Sequence, residues 1–285
     1  MHYLHKKKFE VNNLDEFKSI AYEEAINFRD KHELGNYCAK QLLEIIDLLK
    51  VTEGVPIQII RTPIDNEDLS GFIGFRHDTF IIVTNTNHKL GSERFTIAHE
   101  IYHLIKNRMS IKKGSVIEEM IWNENSTNEI MANAFAAELL MPKEDIIKHV
   151  KLITENMTKE VEPGTIVQLQ QKYGVSYIAI TKRLNEVEII DKKMQSKLEE
   201  FDSESLEKLT KNLGYTNDLN IPSKEMYLIP KDLENIKVNH ENGNNTYDDL
   251  VRIFSYLGCE PERFGYDDNI EMTDEASEFM KSLLQ

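Results

Sequence analysis

The chain has 285 residues, of which 49 are acidic and 34 basic, giving a net charge of −15, and 40% are apolar. That length allows a sizeable core in one large or two modest domains, and a mean hydropathy of −0.46 describes a soluble globular protein. The acidity argues against nucleic acid as the main ligand, and no apolar run approaches the length needed to span a bilayer.

The start, Met1-His-Tyr-Leu-His-Lys-Lys-Lys-Phe9, is basic but leads into no apolar stretch, so it is not read as a secretory signal. Cys38 and Cys259 lack metal-ligand spacing and read as thiols of a reducing, cytoplasmic setting. Residues 14–50 are helical in pattern: Phe17, Ile20, Ala21, Ala25 and Phe28 recur at three- and four-residue steps. Leu42, Leu43, Ile45, Ile46 and Leu49 do the same after a break at Gly35-Asn36. Pro56–Ile60, Gly71–Phe75 and Thr79–Val83 read as strands. Arg76-His77-Asp78 is a tight polar turn, so the last two strands are expected as an antiparallel hairpin. An edge strand of such a sheet could take an extended substrate by strand addition.

The next segment, Arg94-Phe-Thr-Ile-Ala-His99-Glu100-Ile-Tyr102-His103-Leu-Ile, places His-Glu-x-x-His in a helix-compatible apolar run. Four residues is just over one helical turn, so His99 and His103 project from one face and can share a metal ion. Glu100 is rotated by about 100° and reaches beside the metal, where a general base for its water belongs. A third protein ligand is required. The extended pattern with a further glycine and histidine is excluded, because Lys106 and Met109 stand at those positions. Residues 126–142 read as a helix on which Glu129, Ala132, Asn133, Ala136 and Leu140 share a face. An unpartnered carboxylate on that apolar face would be costly, and Zn2+ supplies the partner, making Glu129 the third ligand. Asn133, one turn on, is placed to receive a ring N–H from a ligand histidine. Ser126-x-x-Glu129 is also a capping box, which is the competing reading of Glu129. Glu138 is expected on the opposite, solvated side of that helix, and spacing leaves Glu118, Glu119 and Glu124 open as ligands.

Residues 105–125 form a charged connection expected to border the cleft, and a further helix is expected from Lys143 to Ile153 before a break at Pro163-Gly164. Thr165 to Asn185 has helix-turn-helix spacing, with a turn at Gly174 and Ser176 as cap. Only Lys182 and Arg183 on its second helix are basic, which is thin for groove binding, so packing on the core is expected rather than direct DNA contact. Residues 201–285 hold 18 acidic and 8 basic side chains, a surface suited to a basic protein partner. They include the polar segments Asn217–Asn220 and His240–Asn245 and amphipathic helices Tyr247–Leu257 and Thr273–Leu284. The expected organisation is a catalytic core at 1–150, a helical segment at 151–198 and an acidic accessory region at 199–285.

Arg94-Phe-Thr-Ile-Ala-His-Glu-Ile-Tyr-His-Leu and Glu129-x-x-Ala-Asn-x-Phe-Ala-Ala-Glu-Leu-Leu-Met-Pro142 together resemble the ImmA/IrrE metallopeptidases. Gly71–Asn85 and Val175-Ser-x-x-Ala179-x-x-x-Arg183-Leu184 extend the resemblance over roughly residues 35–190. Tyr102, where that family usually has glycine, is expected to narrow the cleft without disturbing the ligand pattern. The resemblance implies an α+β, zincin-like fold of a small antiparallel sheet plus helices. It also implies a cytoplasmic zinc endopeptidase that cuts a helix-turn-helix repressor; the acidic C-terminal region, an activating partner and metal supply stand as alternative means of control. His99, His103 and Glu129 would hold the metal and Glu100 would act as base, while Arg94, His149 and Tyr173 are unranked candidates for oxyanion support. The competing class is a binding module that sequesters a repressor or antitoxin without cutting it.

Overall fold

The computed structural model describes residues 2–114, 126–226, 230–256 and 260–266. The expected alternatives Glu118, Glu119 and Glu124, the helix at 273–284 and Cys259 lie outside them. The chain divides into two compact units, Met1–Leu228 and Ile229–Gln285.

In the first unit, α1 (His2–Lys31) and α2 (Leu42–Thr52) precede strands β1 (Ile57–Thr62), β2 (Gly71–Arg76) and β3 (Thr79–Asn85). The sheet order is β1-β3-β2. β2 and β3 form the expected antiparallel hairpin, pairing Arg76 with Thr79. His77 and Asp78 carry φ of 49° and 57°, as a two-residue hairpin turn with strand-matching twist requires. β1 runs parallel to β3, pairing Ile57 with Phe80, so the sheet is mixed. Ile73, Phe80 and Ile82 are fully buried on it, the period-two pattern of a half-covered sheet.

α3 (Leu90–Lys106) carries the His-Glu-x-x-His run, and α4 (Arg108–Lys112) follows it. α5 (Thr127–Leu140) packs between α3 and α1. The small side chains Ala21 and Ala25 are wholly buried on α1, and Phe28 meets Phe135 edge-on with ring centres 5.7 Å apart. Glu138 departs from the expectation of a solvated carboxylate: it is 4% exposed. Arg183 pairs with its carboxylate, Arg29 Nη2 lies 3.6 Å from Oε1, and Arg29 Nη1 donates to its carbonyl at 2.6 Å. The opposite side of α5 is covered by α1 and by the helix bearing Arg183, which a single-helix projection does not reveal.

α6 (Lys143–Ile153), α7 (Pro163–Tyr173) and α8 (Tyr177–Glu186) complete the helical layer. The helix-turn-helix spacing is realised: Gly174 ends α7 with φ of 69°, and Ser176 accepts from the Ala179 N–H to cap α8. Glycine at 91 is demanded by this layer, because an added Cβ would lie 2.5 Å from the Val175 carbonyl carbon. Arg183, one of the two basic groups on α8, is 2% exposed and serves the core. α9 (Lys192–Glu199) and α10 (Ser203–Asn212) follow, and Leu198 and Leu206 join the same core. The expected boundary near residue 198 therefore falls inside the first unit.

The second unit contains α11 (Pro230–Glu241) and α12 (Tyr247–Tyr256). Thr246 and Asp249 cap α12 reciprocally, at 3.0 and 3.2 Å. Phe254 is fully buried there, stacked on Phe264 at 4.9 Å.

Candidate metal centre

One turn of α3 brings His99 and His103 together, their ring centres 4.8 Å apart, and α5 delivers Glu129 to them. His99 Nε2 and His103 Nε2 are 3.0 Å apart. Glu129 Oε2 lies 3.1 Å from the first, and Oε1 lies 3.2 Å from the second. His103 is wholly buried and Glu129 nearly so. Among the described residues, these three form the one cluster able to hold a metal ion.

The outer ring nitrogens are already committed. His99 Nδ1 lies 3.0 Å from Asn133 Oδ1, and His103 Nδ1 lies 3.0 Å from Asn107 Oδ1. An amide oxygen accepts only, so each Nδ1 carries the hydrogen and each neutral ring turns an Nε2 lone pair inward. Two lone pairs and a carboxylate then converge with no donor among them. Glu129 Oε1 accordingly has no hydrogen-bond partner, despite its nearness to His103. A cation resolves this, and two imidazoles with one carboxylate suit zinc with a fourth position left open.

Without a cation, protons take that place. Burial disfavours a charged His99, but the hydrogen bond it donates to Glu129 and the charges of Glu100 and Glu129 outweigh it and push its pKa up. Burial tends to raise Glu129, yet hydrogen bonds from His103 and His99 draw it down to about 2. Glu100 is 3% exposed, and burial holds its carboxyl above the usual range, partly offset by the two histidines. Its Oε2 is buried without a partner among the described residues.

Ser126 caps α5 by accepting from the Glu129 N–H at 3.3 Å. The Glu129 carboxylate is turned to the histidines, so only the serine half of the competing cap is made. Asn133 stands where the helical face placed it. Asn107 was not foreseen: it lies beyond the motif at the C-cap of α3, and its only signal was the four-residue step from His103. Tyr102 is 3% exposed, and its ring packs 5.4 Å from Phe135 and 5.8 Å from His103. The three oxyanion candidates are held elsewhere: Arg94 donates to the Gly174 carbonyl at 3.1 Å, Tyr173 to Asp145 at 2.8 Å, and His149 Nδ1 lies 2.8 Å from the Asp145 carbonyl. No described hydrogen bond or ion pair joins them to the His–Glu cluster.

A small sheet beside a helix bearing His-Glu-x-x-His, with a carboxylate brought from a second helix, defines a metallopeptidase-type core. Residues 52–185 match the peptidase M78 family, described as the IrrE N-terminal-like domain, so this stretch carries a domain of that family and supports the ImmA/IrrE resemblance. No curated protein matches the chain. Among solved structures, a Mycobacterium tuberculosis transcriptional regulator is similar at 17% identity and a TM-score of 0.41, over 62% of this chain and 50% of its own. This chain thus spans half the length of that protein. None of the described helices is long and apolar enough to cross a membrane.

Proposed function

We propose that this protein is a zinc-dependent, site-specific endopeptidase that cleaves a helix-turn-helix transcriptional repressor of a prophage, mobile element or stress response. The supporting observation is the triangle of His99 Nε2, His103 Nε2 and the Glu129 carboxylate, with edges of 3.0–3.2 Å and both outer nitrogens engaged by asparagine oxygens. Zinc bound there would acidify a water to a pKa of about 7 and polarise the scissile carbonyl. Glu100 takes the proton from the attacking water and passes it to the leaving amine. Its carboxyl is buried and shifted upward, the direction that favours a two-way proton transfer. Asn133 and Asn107 hold the two rings in the one tautomer that can ligate. The repressor as substrate is what the family resemblance implies.

The binding-module reading gives no purpose to a buried base beside the ligands. Glu100→Gln tests the difference. It should keep zinc stoichiometry while peptidase turnover falls by about 10²–10⁴-fold, the usual worth of a proton-transfer step. Near wild-type cleavage by this variant would remove Glu100 from the mechanism.

A further inference from the structure

We infer that residues 216–226 are a positioning strap for α3, holding the helix that presents His99, Glu100 and His103. The inference rests on the metal-site reading above. The first turn of α3 has no side-chain cap at Lys89, and helix termini with uncapped N–H groups are weak points. The Ile221 carbonyl accepts from the Leu90 N–H at 3.0 Å, so a segment far along the chain supplies the missing acceptor. Pro222 forms an antiparallel bridge with Lys89, and the Lys224 N–H reaches the Thr86 carbonyl at 3.1 Å.

Side chains lock the same seam. Arg61 of β1 donates to Glu93 of α3 through Nε at 2.7 Å and Nη2 at 2.9 Å. Its Nη1 donates to Glu225 of the strap at 2.9 Å. Glu93 is 1% exposed and also accepts from Thr84 at 2.8 Å. At its other end the strap is fixed to α7, where Gln170 donates to Asn220 at 2.6 Å and Gln171 to the Thr216 carbonyl at 3.3 Å. Leu219 is buried between these anchors.

From Leu90 to His99 the helix is continuous, so the strap grips a rigid rod about 14 Å from the first ligand. The strap itself is mostly exposed, with Ile221 at 47% and the Glu225 side chain at 65%. It therefore adds little burial, and its contribution is placement. It lies outside the matched domain at 52–185 and leads directly into the second unit.

The test uses the full chain with Ile221–Glu225 replaced by a flexible glycine-serine stretch of equal length. Amide exchange in the first turn of α3 should quicken, and zinc affinity by chelator competition should fall, each by roughly tenfold, the order expected from losing a helix cap. The visible spectrum of the cobalt-substituted protein should shift as the ligands lose their set. Lys89→Asp in the same background should restore all three in part, because an N-cap carboxylate accepts from the neighbouring N2 or N3 N–H groups of the same first turn. A lowered Tm with unchanged exchange in α3, zinc affinity and cobalt spectrum would reduce the strap to a structural role and overturn the inference. Glu225→Ala removes the ion pair of an exposed carboxylate with Arg61 and will fold. It should quicken exchange at the start of α3, and unchanged exchange there would also count against the strap. Failure of the wild-type chain to bind zinc would instead sink the metal-site reading, while the exchange data would still judge the strap.

Discussion

At the scale of single residues, protons and the proposed metal ion would compete for the same lone pairs. His99 is pushed up by Glu129 against the opposing effect of burial, so its stabilising protonation is present below the unfolded value of about 6.5 and is lost as pH rises through the folded value. Glu129 is drawn to about 2, so its contribution is present above the unfolded value of about 4.3 and is lost as pH falls towards 2. The metal-free pair thus stabilises the fold most between about pH 4.3 and 6.5. Zinc must displace those protons, so the rise in Tm on adding zinc should grow from pH 6 to pH 8. A zinc-induced shift independent of pH would mean that these histidines are not the ligands. Ser126 and Glu129 separate cap from ligand. Ser126→Ala should cost about 1 kcal/mol of stability with metal affinity little changed. Glu129→Gln should leave the helix intact and weaken zinc binding sharply. Full zinc occupancy of that variant at low free zinc would move the third ligand elsewhere. The histidine pair and the glutamate face could be read from helical periodicity alone. Asn107 could not, because nothing in a C-terminal cap residue says which side chain it will meet.

Among the elements, α5 shows where helical projection succeeds and where it stops. One face of it is proposed for the metal because apolar residues surround Glu129 at helical spacing. The other face carries Glu138, which was expected in water and instead lies under α1 and α8. Burial there depends on which helices pack on α5, a tertiary fact that local pattern does not contain. The carboxylate is matched by Arg183 and Arg29, whose side chains are 1% and 11% exposed. Arg183 also donates to the Met141 carbonyl at 3.0 Å, tying α8 to the end of the helix that bears Glu129. Arg183→Ala would leave a buried carboxylate short of its main partner, and losses of this kind cost about 3–5 kcal/mol. Chemical denaturation should show that loss, and a change below about 1 kcal/mol would mean that water or Arg29 takes over. The hairpin was legible from its turn residues and alternation. The parallel pairing of β1 was not, since β1 and β3 are joined through β2 and no turn signal records their register.

Across the whole molecule, composition suggested a boundary near residue 198, where acidity rises and metal-type residues cease. By compactness the chain divides into units that meet at 228/229. Acidity describes the surface of 199–228, whereas its place in the fold is decided by a few buried leucines and backbone bonds to residues 86–90. Leu206 and Leu219 are 5% and 6% exposed, and Arg61 reaches Glu225 across the start of α3. We therefore predict different outcomes for two truncations. A chain ending at Leu228 should remain folded, bind zinc with near wild-type affinity and hydrolyse an unstructured peptide substrate. A chain ending at Leu198 loses the strap and the cover over α7, and should bind zinc at least tenfold more weakly, in keeping with a lost helix cap. The acidic unit beyond 228 is then free to act on substrate choice. Its removal should slow cleavage of a basic native regulator, more at low salt than at high, because exposed charges are screened within about 8–10 Å near physiological ionic strength. Cleavage of the native partner that is unchanged at every salt concentration would leave the second unit without an electrostatic docking role. Equal zinc affinity for the two truncations would show that the first unit needs nothing beyond residue 198.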